Sequence, residues 1–211
     1  MKTAAVGFRV HSGWSAVVAV CLEKGAPLVL HRQRLHLVET FTYRFRQPYH
    51  TGERMTLAAA GEFIAGVREK GRELAYRAIR DLQVDLQGRG YQLTRGALLL
   101  ASGRPLLELE KILVSHALIH TADGELFREC LKHASERCGL AIVSMREREL
   151  LEQAASELRL PRPSLLRRVT ELGRSFGSPW TQDEKFATLA AWLAVLPTKK
   201  GGRKTSTGEP A

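Results

Sequence analysis

Residues 4–10 and 16–22 are two short, Val-rich apolar runs separated only by His11-Ser12-Gly13-Trp14. So short a link cannot carry the chain across a sheet face, so the two runs pair as antiparallel strands across a tight turn. Glu23-Lys24-Gly25-Ala26 supplies a second turn, leading into a more polar strand over residues 27–38. Three consecutive antiparallel strands are therefore expected at the N-terminus.

Periodicity is lost over residues 39–54 and returns with a helical stripe over residues 55–86, on which Leu57, Ile64, Val67, Leu74, Ala75, Ile79 and Leu82 share one side. Gly61, Gly66 and Gly71 weaken this helix, so a kink or a split is expected. The apolar run 96–101 has the character of a buried strand. Beyond Arg104-Pro105, helices are expected over residues 106–119 and 123–137, the second closed by Gly139, with a fifth strand over 140–145. Three more helices follow, over residues 147–158, 164–172 and 182–196. Thr181 and Glu184 give the last of them a capping box, and Pro197 stops it. The organisation expected is a single α/β domain over residues 1–197 and a disordered basic tail over 198–211.

The chain is 211 residues long, 44% hydrophobic and 26% charged, which suits a folded domain rather than a disordered one. Lys and Arg total 32 against 22 acidic residues, for a net charge of +10. Lys199, Lys200, Arg203 and Lys204 against Glu209 place only part of that excess on the tail. A basic body favours polyanionic partners, DNA or RNA, through release of counterions. No apolar stretch approaches the roughly 18 residues of a membrane span. Cys21, Cys130 and Cys138 are odd in number and contain no C-x-x-C pair, which points to reduced thiols and a cytoplasmic setting. Nothing in the sequence specifies an oligomeric state.

The element order, with Asp183 near the start of a final Ala-rich helix, resembles the ribonuclease H-like superfamily and, within it, the Holliday-junction resolvase branch. The resemblance spans about residues 3–196. It implies a mixed five-stranded sheet flanked by helices, and a cluster of carboxylates holding two Mg²⁺ ions on either side of a scissile phosphate. Such proteins place one acid in the first strand, one near the end of the fourth, and one or more on the last helix. Here the first strand reads Ala5-Val6-Gly7-Phe8-Arg9-Val10-His11 and the fourth Ala97-Leu98-Leu99-Leu100-Ala101-Ser102-Gly103, both without a carboxylate. Only Asp183 matches, and Arg9 would repel the cations. The expectation is a member that binds nucleic acid without the usual two-metal nuclease activity.

Four polar residues form the candidate catalytic set: His11 in the first turn, His116, Glu147 just after the fifth strand, and Asp183. Asp183 in the first turn of its helix also suits complementing the helix dipole beside the Thr181 cap, the plainer of its two readings. His116 and His120 are four apart and would face one metal if a helix ran through both. An end to the helix near Ile119 spoils that spacing, and no metal site is expected. Between His31 and Arg54 basic and aromatic residues interleave. Arg32, Arg34, Tyr43, Arg44, Arg46 and Tyr49 are the candidates for contacting nucleic acid, with arginines on phosphates and aromatics on bases. The same aromatics would also suit packing against the sheet. Arg159, Arg162, Arg167, Arg168 and Arg174 form a second basic run. No cofactor is specified: Gly201–Ser206 lacks the spacing of a phosphate loop. Two other functions fit the same composition, a protein-interaction or scaffold module with no nucleic-acid role, and an enzyme with an unfamiliar His and carboxylate site.

Overall fold

The tight turn at Ser12-Gly13 joins β1 (Lys2–His11) to β2 (Trp14–Glu23), and a second turn leads to β3 (Ala26–His36), giving the expected antiparallel meander. In the computed structural model, which describes residues 1–101 and 106–197, β4 (Tyr91–Leu100) then pairs parallel to β1, and β5 (Ala141–Arg146) parallel to β4. The sheet order is β3-β2-β1-β4-β5, so the mixed five-stranded sheet anticipated from the sequence is what the chain forms. The expected tail at 198–211 lies outside the described residues, as do Ser102 and Gly103.

Alternation along β1 sends Val6, Phe8 and Val10 to one face and Ala5, Gly7, Arg9 and His11 to the other. The first face is covered by α3 (Leu57–Gly88) and α5 (His116–Arg137), which share a hydrophobic core with it. The opposite face is covered by α6 (Leu150–Leu158), α7 (Arg162–Leu172) and α8 (Gln182–Val195), around a second core built from Ala16, Val18, Leu99, Leu165 and Trp192. Short helices α1 (Tyr43–Arg46) and α2 (Pro48–Gly52) link the sheet to α3, and α4 (Leu109–Leu113) precedes α5.

Two expectations are corrected. First, α3 is one continuous helix of 32 residues, not split at its glycines. Gly71 is where it crosses its neighbours: a Cβ there would lie 2.9 Å from the Cys130 sulfur and 3.3 Å from the Leu37 carbonyl oxygen. Tertiary packing outweighs the local propensity cost. Second, the helix break expected between Ile119 and Asp123 lies at Val114–Ser115 instead. From His116 on, Ile119, Ala122, Leu126, Cys130 and Ala134 form one unbroken buried stripe, which keeps α5 whole.

α8 is the most enclosed helix, with every residue from Phe186 to Val195 buried. It lies against β1 at Gly7, where a Cβ would fall 1.9 Å from the Ala187 carbonyl oxygen. Only glycine permits that approach, and it fixes the first turn of α8 beside the C-terminal end of β1. Arg95 of β4 ties down the other end by donating to the carbonyls of Ala194 and Leu196, both at 3.0 Å.

Candidate nucleic-acid interface

Strand register lays the site out in two rows. Arg9 of β1 is opposite Ala16 of β2, which is opposite Arg34 of β3. One step further along, His11 is opposite Trp14, which is opposite His36. With α8 held on Gly7, the Asp183 side chain in its first turn meets these rows. The capping box is present as expected: Asp183 N–H donates to the Thr181 hydroxyl at 3.2 Å, and Thr181 N–H donates to Glu184 at 2.7 Å.

Arg9 is the hub. Its Nε and Nη2 donate to the two Glu147 carboxylate oxygens at 3.0 and 2.6 Å, and its Nη1 donates to Asp183. The Phe186 ring lies 5.3 Å from the guanidinium carbon. Bidentate pairing of this kind orients both partners. His11 adds a second contact to Asp183, Nε2 to Oδ1 at 2.7 Å. Burial pushes the Asp183 carboxyl up, but His11 and Arg9 together outweigh it and hold Asp183 below its ordinary value. The Glu147 hydrogen bonds raise the already high value of Arg9, so the guanidinium stays charged.

A stacked series leads outward from this cluster. His11 stacks on Trp14 with centroids 4.4 Å apart and planes within 12°. Arg34 lies 3.8 Å from the centre of the same indole and 5.7 Å from the Phe41 ring. Phe41 stacks with His36 at 4.5 Å and lies beneath Arg46 at 4.4 Å, while Arg46 also donates to the Ser12 carbonyl. Arginine and aromatic planes so arranged hold one another in place at about 0.5–1 kcal/mol per exposed pair.

The predicted residues therefore separate. His11 and Asp183 meet directly, and Arg9 brings Glu147 to the same cluster. His116 stands apart from their hydrogen bonds and meets His50 and His120 instead. Among the nucleic-acid candidates, Arg34 and Arg46 belong to the stacked series, Tyr43 is 61% exposed, and Arg44 lies over Phe63. Two are corrected. Tyr49 is 3% exposed and part of the core, so no base can stack on it. Arg32 donates to the carbonyls of Pro179 and Phe176 and serves to fasten the segment before α8. In the second basic run, Arg162 pairs with Glu152 and Arg168 lies over Trp192.

Phe186 carried no site signal in the sequence, because only the docking of α8 brings its ring beside Arg9. The pairing of His50 with Asp123 went unread as well: His50 Nδ1 lies 2.5 Å from Asp123 Oδ2, and Tyr49 N–H donates to Asp123 Oδ1 at 2.7 Å. Burial pushes the Asp123 carboxyl up, against the opposing effect of those two donors. The spacing of His116, His120 and Asp123 along one helix face was the available signal.

No family model and no curated protein matches this sequence. Solved structures do. The chain is similar to Thermus thermophilus RuvC in complex with a Holliday junction substrate, at 10% identity and TM-score 0.51, over 90% of each chain. It is also similar to the yeast mitochondrial Holliday junction resolvase Ydc2, at 12% identity and TM-score 0.50, over 90% of this chain and 75% of that one. The fold is ribonuclease H-like, of the resolvase type. In this ribonuclease H-like frame, Arg9, His11 and Asp183 stand where β1 meets the start of α8. Among the described residues no helix is long and apolar enough to cross a membrane.

Proposed function

We propose that this chain is a ribonuclease H-like domain that binds nucleic acid, with an arginine in place of two-metal chemistry. The observation that carries the proposal is the Arg9 constellation opening onto the stacked row His11, Trp14, Arg34, Phe41 and Arg46. The two Mg²⁺ ions that the fold family implies are a poor match for these residues. Glu147 and Asp183 are already paired to one fixed guanidinium. β4 offers no carboxylate anywhere along its length, and a dication placed among these groups would face Arg9 directly. Positive charge at the centre thus comes from the protein itself.

Such a surface suits unpaired or distorted strands. Arg34 and Arg46 supply charge for phosphates, and Tyr43, 61% exposed, offers a face to a base. RuvC has been captured with a Holliday junction, so branched DNA is the first substrate to try. Binding of a four-way junction, a single strand and a plain duplex would be compared over a salt series, with and without Mg²⁺ or Mn²⁺. We expect salt-sensitive binding of the branched or single-stranded ligand and no cleavage with either metal. Metal-dependent cleavage abolished by Asp183→Ala would overturn the non-catalytic part. Salt-independent or undetectable binding would favour an interaction module instead.

A further inference from the structure

We propose that His50, His116 and His120 form a binding site for a divalent first-row transition-metal ion of the Zn²⁺ class, bridging α2 and α5. One ring nitrogen of each residue lies within 4.8 Å of the other two. Because α5 runs unbroken from His116, its first and fifth residues face the same way, and their Nε2 atoms are 3.0 Å apart. Two imidazole nitrogens that close must either share a proton or point their lone pairs at one electrophile. His50 closes the third side, its ring centroid 5.4 Å from His116 and 4.4 Å from His120.

The support behind His50 argues for a ligand set rather than an incidental cluster. Nδ1 of His50 is bonded to Asp123, a carboxylate only 2% exposed whose other oxygen accepts Tyr49 N–H. A carboxylate on Nδ1 fixes the tautomer in which Nε2 carries the lone pair, and strengthens it as a donor to metal. Asp123 follows His120 by three residues on the same helix, so α5 supplies two ligands and the buttress of the third. His50 is nearly buried and held, whereas His116 and His120 are exposed and free to adjust. Tetrahedral coordination at about 2.0–2.1 Å needs nitrogens roughly 3.3 Å apart. Rotation of the two exposed rings is the adjustment that binding would require. Three imidazoles leave a fourth position for water, and all-nitrogen ligation selects Zn²⁺, Cu²⁺, Ni²⁺ or Co²⁺ over Mg²⁺ or Ca²⁺.

The test uses the full chain, purified without a polyhistidine tag and stripped with chelator. Zn²⁺ would be titrated in competition with a chromophoric chelator, and Co²⁺ added separately to read its visible spectrum. We expect one equivalent per chain and the intense visible bands of tetrahedral Co²⁺. Asp123→Asn should weaken affinity by about 10–100-fold, the usual effect of losing a supporting carboxylate. The double variant His116→Ala/His120→Ala should lose stoichiometric binding while keeping its circular dichroism spectrum, since both side chains are exposed. His133→Ala, elsewhere on α5, should bind as the parent does. Absence of stoichiometric Zn²⁺ binding at micromolar concentrations, or full binding by the double variant, would overturn the proposal.

Discussion

Arg9 and Glu147 are separated by 138 residues and joined by two hydrogen bonds, Nε to Oε2 at 3.0 Å and Nη2 to Oε1 at 2.6 Å. The pair connects the middle of the sheet to the turn after its last strand. Arg9 keeps only 15% of its side chain exposed, and Glu147 keeps 34%. Replacing Arg9 with Leu would leave Glu147 and Asp183 without their shared cation. We expect a loss of roughly 2 kcal/mol, below the roughly 3–5 kcal/mol of a fully buried pair because Glu147 still reaches water. Urea unfolding of both proteins measures it, and an unchanged midpoint would remove Arg9 from the role of hub.

Asp183 titrates below its ordinary value when folded. Its ion pairs therefore add stability at pH values above the unfolded carboxylate value near 3.9, and that contribution is lost as pH falls through the lower folded value. The stability difference between the parent and Asp183→Asn should be largest near pH 6 and shrink on going to pH 3. Denaturation midpoints across that range test the sign, and a difference that grows in acid would contradict it.

Trp14 and Arg34 make one contact pair of the proposed binding surface. Arg34→Glu should weaken binding to a single strand and lower the slope of log affinity against log salt by about 0.7 for a lost phosphate contact. Trp14→Ala should reduce affinity with little change in that slope. Equal slopes for Arg34→Glu and the parent would take Arg34 out of the interface.

Gly71→Ala puts a methyl group against the Cys130 sulfur and the Leu37 carbonyl. Alanine is the better helix former, so local propensity alone predicts a gain of about 0.8–1.0 kcal/mol. Overpacking in a core typically costs about 1–3 kcal/mol, and we expect it to win. A raised melting temperature would show that α3 and α5 can move apart at little cost.

Burial pushes the Cys130 thiol up to about 12, and its sulfur also contacts the Arg68 carbonyl. Cys138 is less buried, and its thiol is raised by the same cause. An alkylating reagent at pH 8 should label Cys138 first and leave Cys130 unmodified until the protein unfolds. Mass spectrometry of peptides from a time course distinguishes the two.

Much of the sheet could be foreseen because its cause is local. A link of a few residues leaves antiparallel pairing as the outcome, and the Val-rich runs identify which segments pair. β4 was foreseen only in its second half, because Gln92, Thr94 and Arg95 interrupt the apolar pattern of the first. The site was harder for the same reason in reverse. Arg9 was recognisable as hostile to metal, yet its partners come from positions 147 and 183, and only the docking of α8 on Gly7 unites them. Tyr49 had the composition of a binding residue, but Asp123 captures its backbone and draws it inward. The break before α5 was misplaced because Thr121 and Asp123 look like caps, whereas Asp123 is buried beneath His50.

The burial of α8 sets an order of events. The strand that α8 covers is synthesised some 170 residues earlier, so Ala5, Ala16 and Val18 must wait for α8 to be made before their face is dry. At about 5–20 residues per second that interval lasts on the order of ten seconds or more. Throughout it Arg9 has no Asp183 to hold. The site is complete only once α8 has docked, and a chain that stops short of α8 would leave this face of the sheet open and apolar.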